Sequence, residues 1–80
     1  MMFVTFITAS HERYPNLSTL LKKMHKPENI NILGTYILLG KPDAMIIYEA
    51  PDEVAALKFV EEFVSVGDVQ TNTIVKAESL

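Results

Sequence analysis

Within 80 residues the hydrophobic pattern turns from strand-like to helix-like and back twice, and that alternation leaves few folds open to the chain. Phe3 to Thr8 reads FVTFIT, rich in β-branched and aromatic residues that suit a pleated, half-buried surface better than a helix. From Asn16 the period lengthens: Leu17, Leu20, Leu21 and Met24 recur at helical spacing, with Ser18, Lys22 and Lys23 between them. Pro15 suits the approach to this helix, the lysines suit its negative end, and Pro27 blocks continuation, so the helix should stop near His25. Ile30 to Leu39 and Ala44 to Glu49 then read as two strands of a hairpin around the turn cluster Gly40-Lys41-Pro42-Asp43. Gly34, inside the first of them, fits a bulge or close backbone approach as well as it fits a glycine that merely weakens the strand.

Pro51 and Asp52 open a second helix, with Asp52 or Glu53 placed to meet its unpaired amides. Val54, Leu57, Val60, Phe63 and Val64 make its apolar face, Ala55, Ala56 and Phe59 widen it, and Lys58 pairs with Glu62 outside. Gly67 stands where a helix-ending glycine belongs, Val69 to Lys76 forms the last strand, and Ala77 to Leu80 is a loose tail. No repeat or linker interrupts this order. It predicts one α+β domain over residues 1–80, ferredoxin-like βαββαβ, a four-stranded antiparallel sheet with both helices on one face.

A sheet covered on one side only should alternate apolar and polar residues along each strand. These strands do not. Phe3 and Ile7 oppose Val4 and Phe6; Leu33, Ile37 and Leu39 oppose Ile32, Tyr36 and Leu38; Ile46 and Tyr48 oppose Met45 and Ile47. Both faces ask for burial, two short helices cover one, and a second copy packed sheet against sheet about a twofold axis is the simplest cover for the other. The expectation is a homodimer through the open sheet face. Chain length points the same way, since a domain this small buries only ~60% of its unfolded surface.

Composition narrows the function classes. With no cysteine, disulfides and thiolate metal sites are excluded, and a reducing cytoplasm is the expected location. The apolar start, Met1 to Ala9, has no basic residue before it and is too short to span a bilayer, so it reads as a strand and not as a targeting segment. Net charge is −3 with basic residues scattered, which leaves no footprint for nucleic acid or for an anionic membrane surface.

Three stretches, Gly40-Lys41-Pro42-Asp43, Glu49-Ala50-Pro51-Asp52 and Gly67-Asp68-Val69-Gln70-Thr71-Asn72-Thr73, resemble the GYD domain family. That family is named for a Gly-Tyr-Asp element in the hairpin before an acidic-Ala-Pro-Asp helix start. The resemblance runs from Gly34 to Ala77; Pro42 stands in the tyrosine's place, and the first helix is shorter than the family's. The same ending is similar to that of a neighbouring uncharacterised family. Both resemble the dimeric α/β-barrel superfamily, which implies a dimer and allows several functions, among them cofactor-independent monooxygenases, isomerases and ligand-binding domains of small bacterial regulators.

Candidate chemistry is sparse. His11, with Glu12 beside it, follows the first strand where a loop can place a proton carrier at a pocket mouth, and a solvated turn is the competing explanation. His25 suits a capping role at the end of the first helix. Tyr36 and Tyr48 could offer hydroxyls to a ligand or serve as core residues, and Asp43 could act in a site or bond backbone amides of its own turn. The two histidines lack metal-ligand spacing, no carboxylate-rich loop or phosphate-cradling glycine pattern is present, and neither metal nor cofactor is implied. The expectation is a non-enzymatic module, small-molecule-binding or regulatory, that takes a small, largely apolar molecule or a protein partner in the cleft between sheet and helices. Its alternatives are a cofactor-independent monooxygenase- or isomerase-like enzyme based on His11, and a structural subunit of a larger homo-oligomer.

Overall fold

A computed structural model of the chain describes residues 1–10 and 14–80, the side chains of residues 14 and 15 excepted; His11 and Glu12 lie outside the described residues. The elements are β1 (Met2–Ala9), α1 (Tyr14–Lys23), β2 (Asn31–Ile37), β3 (Ala44–Glu49), α2 (Glu53–Val60) and β4 (Gly67–Ile74). Single 3-10 turns follow α2 at Glu61–Phe63 and β4 at Ala77–Ser79. The strands form one antiparallel sheet in the order β2-β3-β1-β4, so β1 and β3 are central and β2 and β4 are edges. This is the ferredoxin-like βαββαβ arrangement that the order of periodicities predicts.

Strand register sorts side chains by face, because successive residues point to opposite sides. Phe3, Thr5 and Ile7 of β1 stand opposite Tyr48, Ile46 and Ala44 of β3 and opposite Thr73, Thr71 and Val69 of β4. Both helices pack on this side, where Phe3, Ile7, Ile46 and Tyr48 form one core with Leu17 and Leu21 of α1 and with Ala56, Phe59 and Phe63. A run of rings ties sheet to helix. Phe3 stacks on Tyr48 with centroids 5.8 Å apart, Tyr48 meets Phe59 edge-on at 4.8 Å, and Phe59 meets Phe63 at 5.3 Å. Such pairs contribute about 0.5–1.5 kcal/mol each beyond their burial.

The other face carries Met2, Val4 and Phe6 of β1 beside Met45 and Ile47 of β3, an apolar strip down the sheet's middle. On β4 it is flanked by Asp68, Gln70 and Asn72, with Ile74 beside Met2; on β2 stand Tyr36, across from Met45, and Asn31, whose amide donates to Glu49 at 2.8 Å. Val4 is buried, whereas Phe6, Met45 and Ile47 stay half-buried.

Local differences from the sequence expectation have local causes. Asp52 caps α2 as expected, its Oδ1 accepting from the Ala55 amide at 2.8 Å. The helix then tightens into a 3-10 turn after Val60, and a narrow stripe of Ala56, Phe59, Val60 and Phe63, at i, i+3, i+4 and i+7, meets the core. Val54, Leu57 and Val64, expected on that face, are each more than 60% exposed. The tighter turn also takes Glu62 off the register of Lys58, and Lys41–Asp43 is the ion pair found among the described residues. Gly67 does not end a helix. It starts β4 with ordinary φ, and a Cβ there would run into the Thr8 carbonyl oxygen and the Ala9 Cα, so close backbone approach demands glycine. Gly34 marks a register shift after Ile32, and the Tyr36 ring lies where its Cβ would be. After β4, amides of Ser79 and Leu80 close an exposed turn on the carbonyls of Lys76 and Ala77.

Candidate functional site

The core-facing row of β1 is apolar except for Thr5, which sits between Phe3 and Ile7 and is fully buried. A hydroxyl at the middle of a sheet needs partners, and the neighbouring strands supply them. Thr5 Oγ1 lies 2.9 Å from the Tyr48 hydroxyl on one side and 2.8 Å from Thr71 Oγ1 on the other. Three strands thus contribute one hydroxyl each to a short chain running from the centre of the core to the rim of the sheet. Among the described residues no buried side-chain polar atom is left without a partner. Burial pushes the Tyr48 phenol above its ordinary value, and the Thr5 and Thr71 hydroxyls pull it part of the way back. It is a neutral phenol at physiological pH.

The outer end of this chain opens on a cleft. Between α2 and the β1–β4 edge is a space of about 300 Å³ lined by Phe3, Ala56, Leu57, Val60, Glu53 and Thr71. Phe3, Ala56 and Val60 form buried walls, Leu57 and Glu53 stand at the exposed rim, and Thr71 brings the hydroxyl. The cleft is open on the β4 side because the helix-side face of β4 is left uncovered there: Thr71 and Thr73 are exposed. An apolar wall with one fixed polar group is the ordinary composition of a small-molecule site.

The residues singled out in sequence are not brought together. Tyr48 is in the core, 0% exposed, with the hydroxyls of Thr5 and Thr71 between it and the cleft. Tyr36 points to the opposite face of the sheet, across from Met45, and borders a shallow cleft of about 200 Å³ between β2 and α1. Asp43 sits at the hairpin end, buried, its Oδ2 accepting from the Ala9 amide at 2.8 Å with Lys41 Nζ 3.5 Å away. Its backbone continues the clamp, donating to the Ile7 carbonyl and accepting from the Leu38 amide, both at 2.8 Å. Those bonds employ Asp43 in joining the turn to β1. His25 lies exposed beyond the end of α1. Thr5 and Thr71 were not among the sequence candidates; the one signal was a threonine interrupting the Phe3–Ile7 apolar row.

A groove of about 430 Å³ runs along β1 and β4 beside the hairpin, bordered by Phe6, Thr8, Pro42, Asp68 and Gln70. Among the described residues no three His, Asp or Glu side chains converge to hold a metal ion, and no helix is long and apolar enough to cross a membrane.

Against known proteins, the resemblance is one of fold. The chain is similar in structure to MtbAldR. The crystal structure of that protein superposes with a TM-score of 0.77 over 94% of this chain, at 12% sequence identity. The match takes in 52% of the MtbAldR chain, so the present chain corresponds to about half of that protein. At this identity the likeness shows a shared ferredoxin-like fold. No protein-family model matches the sequence, and no curated protein matches it. The resemblance to the GYD family accordingly rests on the three quoted stretches.

Proposed function

We propose that the chain is a small-molecule-binding module, working as a homodimer joined through its open sheet faces, with the cleft between α2 and β4 as the binding site in each copy. The observation that carries this is the cleft itself: walls of Phe3, Ala56, Leu57 and Val60 with a single internal hydroxyl relay at Thr71. Its volume of about 300 Å³ suits a compact, largely apolar molecule. The dimer is supported by the strip of Met2, Val4, Phe6, Met45 and Ile47, which Tyr36 extends on the β2 side and Asp68, Gln70 and Asn72 edge with polar groups on the β4 side. Sheet-to-sheet packing leaves the helix side, and with it the cleft, facing outward.

The test joins native mass spectrometry to an amide NMR titration with ethylbenzene. A two-chain species is expected, with ethylbenzene shifting the amides of Phe3, Ala56, Leu57, Val60 and Thr71. Leu57→Glu, at an exposed position, should preserve the fold and abolish those shifts. Phe6→Glu should yield a folded single chain. Shifts that are absent, or indifferent to Leu57→Glu, would refute the site; a bare single chain at micromolar concentration would refute the dimer.

A further inference from the structure

The sheet has two edges, and they are not defended alike. β2 shifts register after Ile32, at Gly34, an irregularity of the kind that spoils an edge as a template for further pairing. β4 has no such device. Its eight residues pair with β1 in unbroken register from Gly67 to Ile74, include neither lysine nor proline, and carry their one charge, Asp68, near the start. Thr71, Asn72 and Thr73 are exposed, and among the described residues no strand lies beyond them.

The register also settles which backbone groups of β4 are free. Met1 and Ala50 bond each other twice, the Met1 nitrogen to the Ala50 carbonyl at 2.8 Å and the Ala50 amide to the Met1 carbonyl at 2.9 Å. Antiparallel pairs alternate between bonded and unbonded, so Phe3 with Tyr48 and Thr5 with Ile46 continue the bonded set. The Ile7 carbonyl and the Ala9 amide, both bonded to Asp43, keep that parity. Met2, Val4 and Phe6 therefore turn their N–H and C=O groups to β4, where Ile74, Asn72 and Gln70 receive them. Val69, Thr71 and Thr73 alternate with these and present their own to the open edge. The side chains of the same three lie on the helix side, where Leu57, 61% exposed, lines the cleft together with Thr71.

We infer that the free edge of β4 takes an extended segment of another polypeptide as a fifth, antiparallel strand. The segment alternates apolar residues towards α2 with polar ones towards Gln70 and Asn72, and offers a basic residue to Asp68. Backbone bonds to Val69, Thr71 and Thr73 hold it, and the alternation sets its apolar side chains against Leu57. A second copy of this chain fits less well: its β4 would bring Thr71 and Thr73 to that apolar wall and has no basic residue for Asp68. The inference stands apart from whether the cleft takes a small molecule.

The probe is a short capped peptide that alternates valine with threonine, one threonine replaced by lysine, and the readout is amide hydrogen exchange of the natural chain. Peptide should protect the amides of Val69, Thr71 and Thr73 and leave those of Gln70 and Asn72 at the protection β1 already gives them. Residues paired with Thr71 and Thr73 share both their face and their bonds, so N-methylating the peptide's valines should abolish the effect and N-methylating its threonines should spare it. Thr73→Pro removes one edge donor without touching a bond to β1 and should weaken binding roughly 2- to 10-fold, whereas Thr73→Val keeps the N–H and should not. Uniform protection along β4, equal loss from the two N-methylated peptides, or no protection at all would overturn the inference. So would a larger assembly that forms without peptide and is split by Thr73→Pro, since the edge would then belong to a second copy.

Discussion

Removing the Asp43 carboxylate tests what holds the hairpin to the sheet. Asp43 Oδ2 accepts from the amide of Ala9, itself buried, at 2.8 Å, and Asp43→Ala leaves that N–H without its partner. A hydrogen bond to a charged group contributes about 1.5–3 kcal/mol, and the stranded donor places the loss in the upper part of that range. The pair with Lys41 adds little, under about 1 kcal/mol, because the Lys41 side chain is 69% exposed and screened by water. In a domain of this size each kcal/mol moves the melting midpoint by about 4–8 °C, so Asp43→Ala should lower it by roughly 10–20 °C. Asp43→Asn keeps an oxygen for Ala9 without the charge and should lose about half as much. Lys41→Ala should move the midpoint by a few degrees at most. Circular dichroism melts of the three variants decide. A shift below ~3 °C for Asp43→Ala, or an equal shift for Lys41→Ala, would refute the buried clamp and leave Asp43 an ordinary turn residue.

Gly67→Ala should destabilise by about 1–3 kcal/mol or more, since the new methyl meets the Thr8 carbonyl and Ala9 Cα and β1 must move from β4; urea midpoints check this, and a neutral result would refute the close approach of β1 and β4 at this glycine. Tyr48 predicts an alkaline limit. Its phenol titrates above the ordinary value of 10.0 in the folded chain, so above about pH 10 the unfolded chain sheds a proton that the folded one keeps, and stability falls as pH rises towards the folded value. Urea midpoints at pH 8 and pH 10.5 should therefore drop more for the natural chain than for Tyr48→Phe, which has no such proton; parallel drops would contradict the raised phenol.

Where sequence and structure part, the distance between interacting residues is the reason. Asp52 and the Ala55 amide it caps are three residues apart, and the cap is visible in the string of letters. Thr5 is 43 residues from Tyr48 and 66 from Thr71, so nothing local marks the three as a group. Tyr36 and Tyr48 looked equivalent as strand tyrosines. The bulge at Gly34 and the antiparallel register send one to the open face and the other into the core. Val54, Leu57 and Val64 had helical spacing enough for a wide apolar face, yet the helix turns the stripe of Ala56, Phe59, Val60 and Phe63 to the core and leaves them outside.

What the amino-acid order determined by itself was the succession of strands and helices, the antiparallel ferredoxin-like sheet and the apolar character of both its faces, because period and turn chemistry act over a few residues. The tertiary structure decided where polar atoms meet. Pairing β3 and β4 to either side of β1 brings together Tyr48, Thr5 and Thr71, and the short α2 leaves the last of them open to a cleft. Hydrogen bonds between strands depend on register, a property of the assembled sheet that no single segment carries.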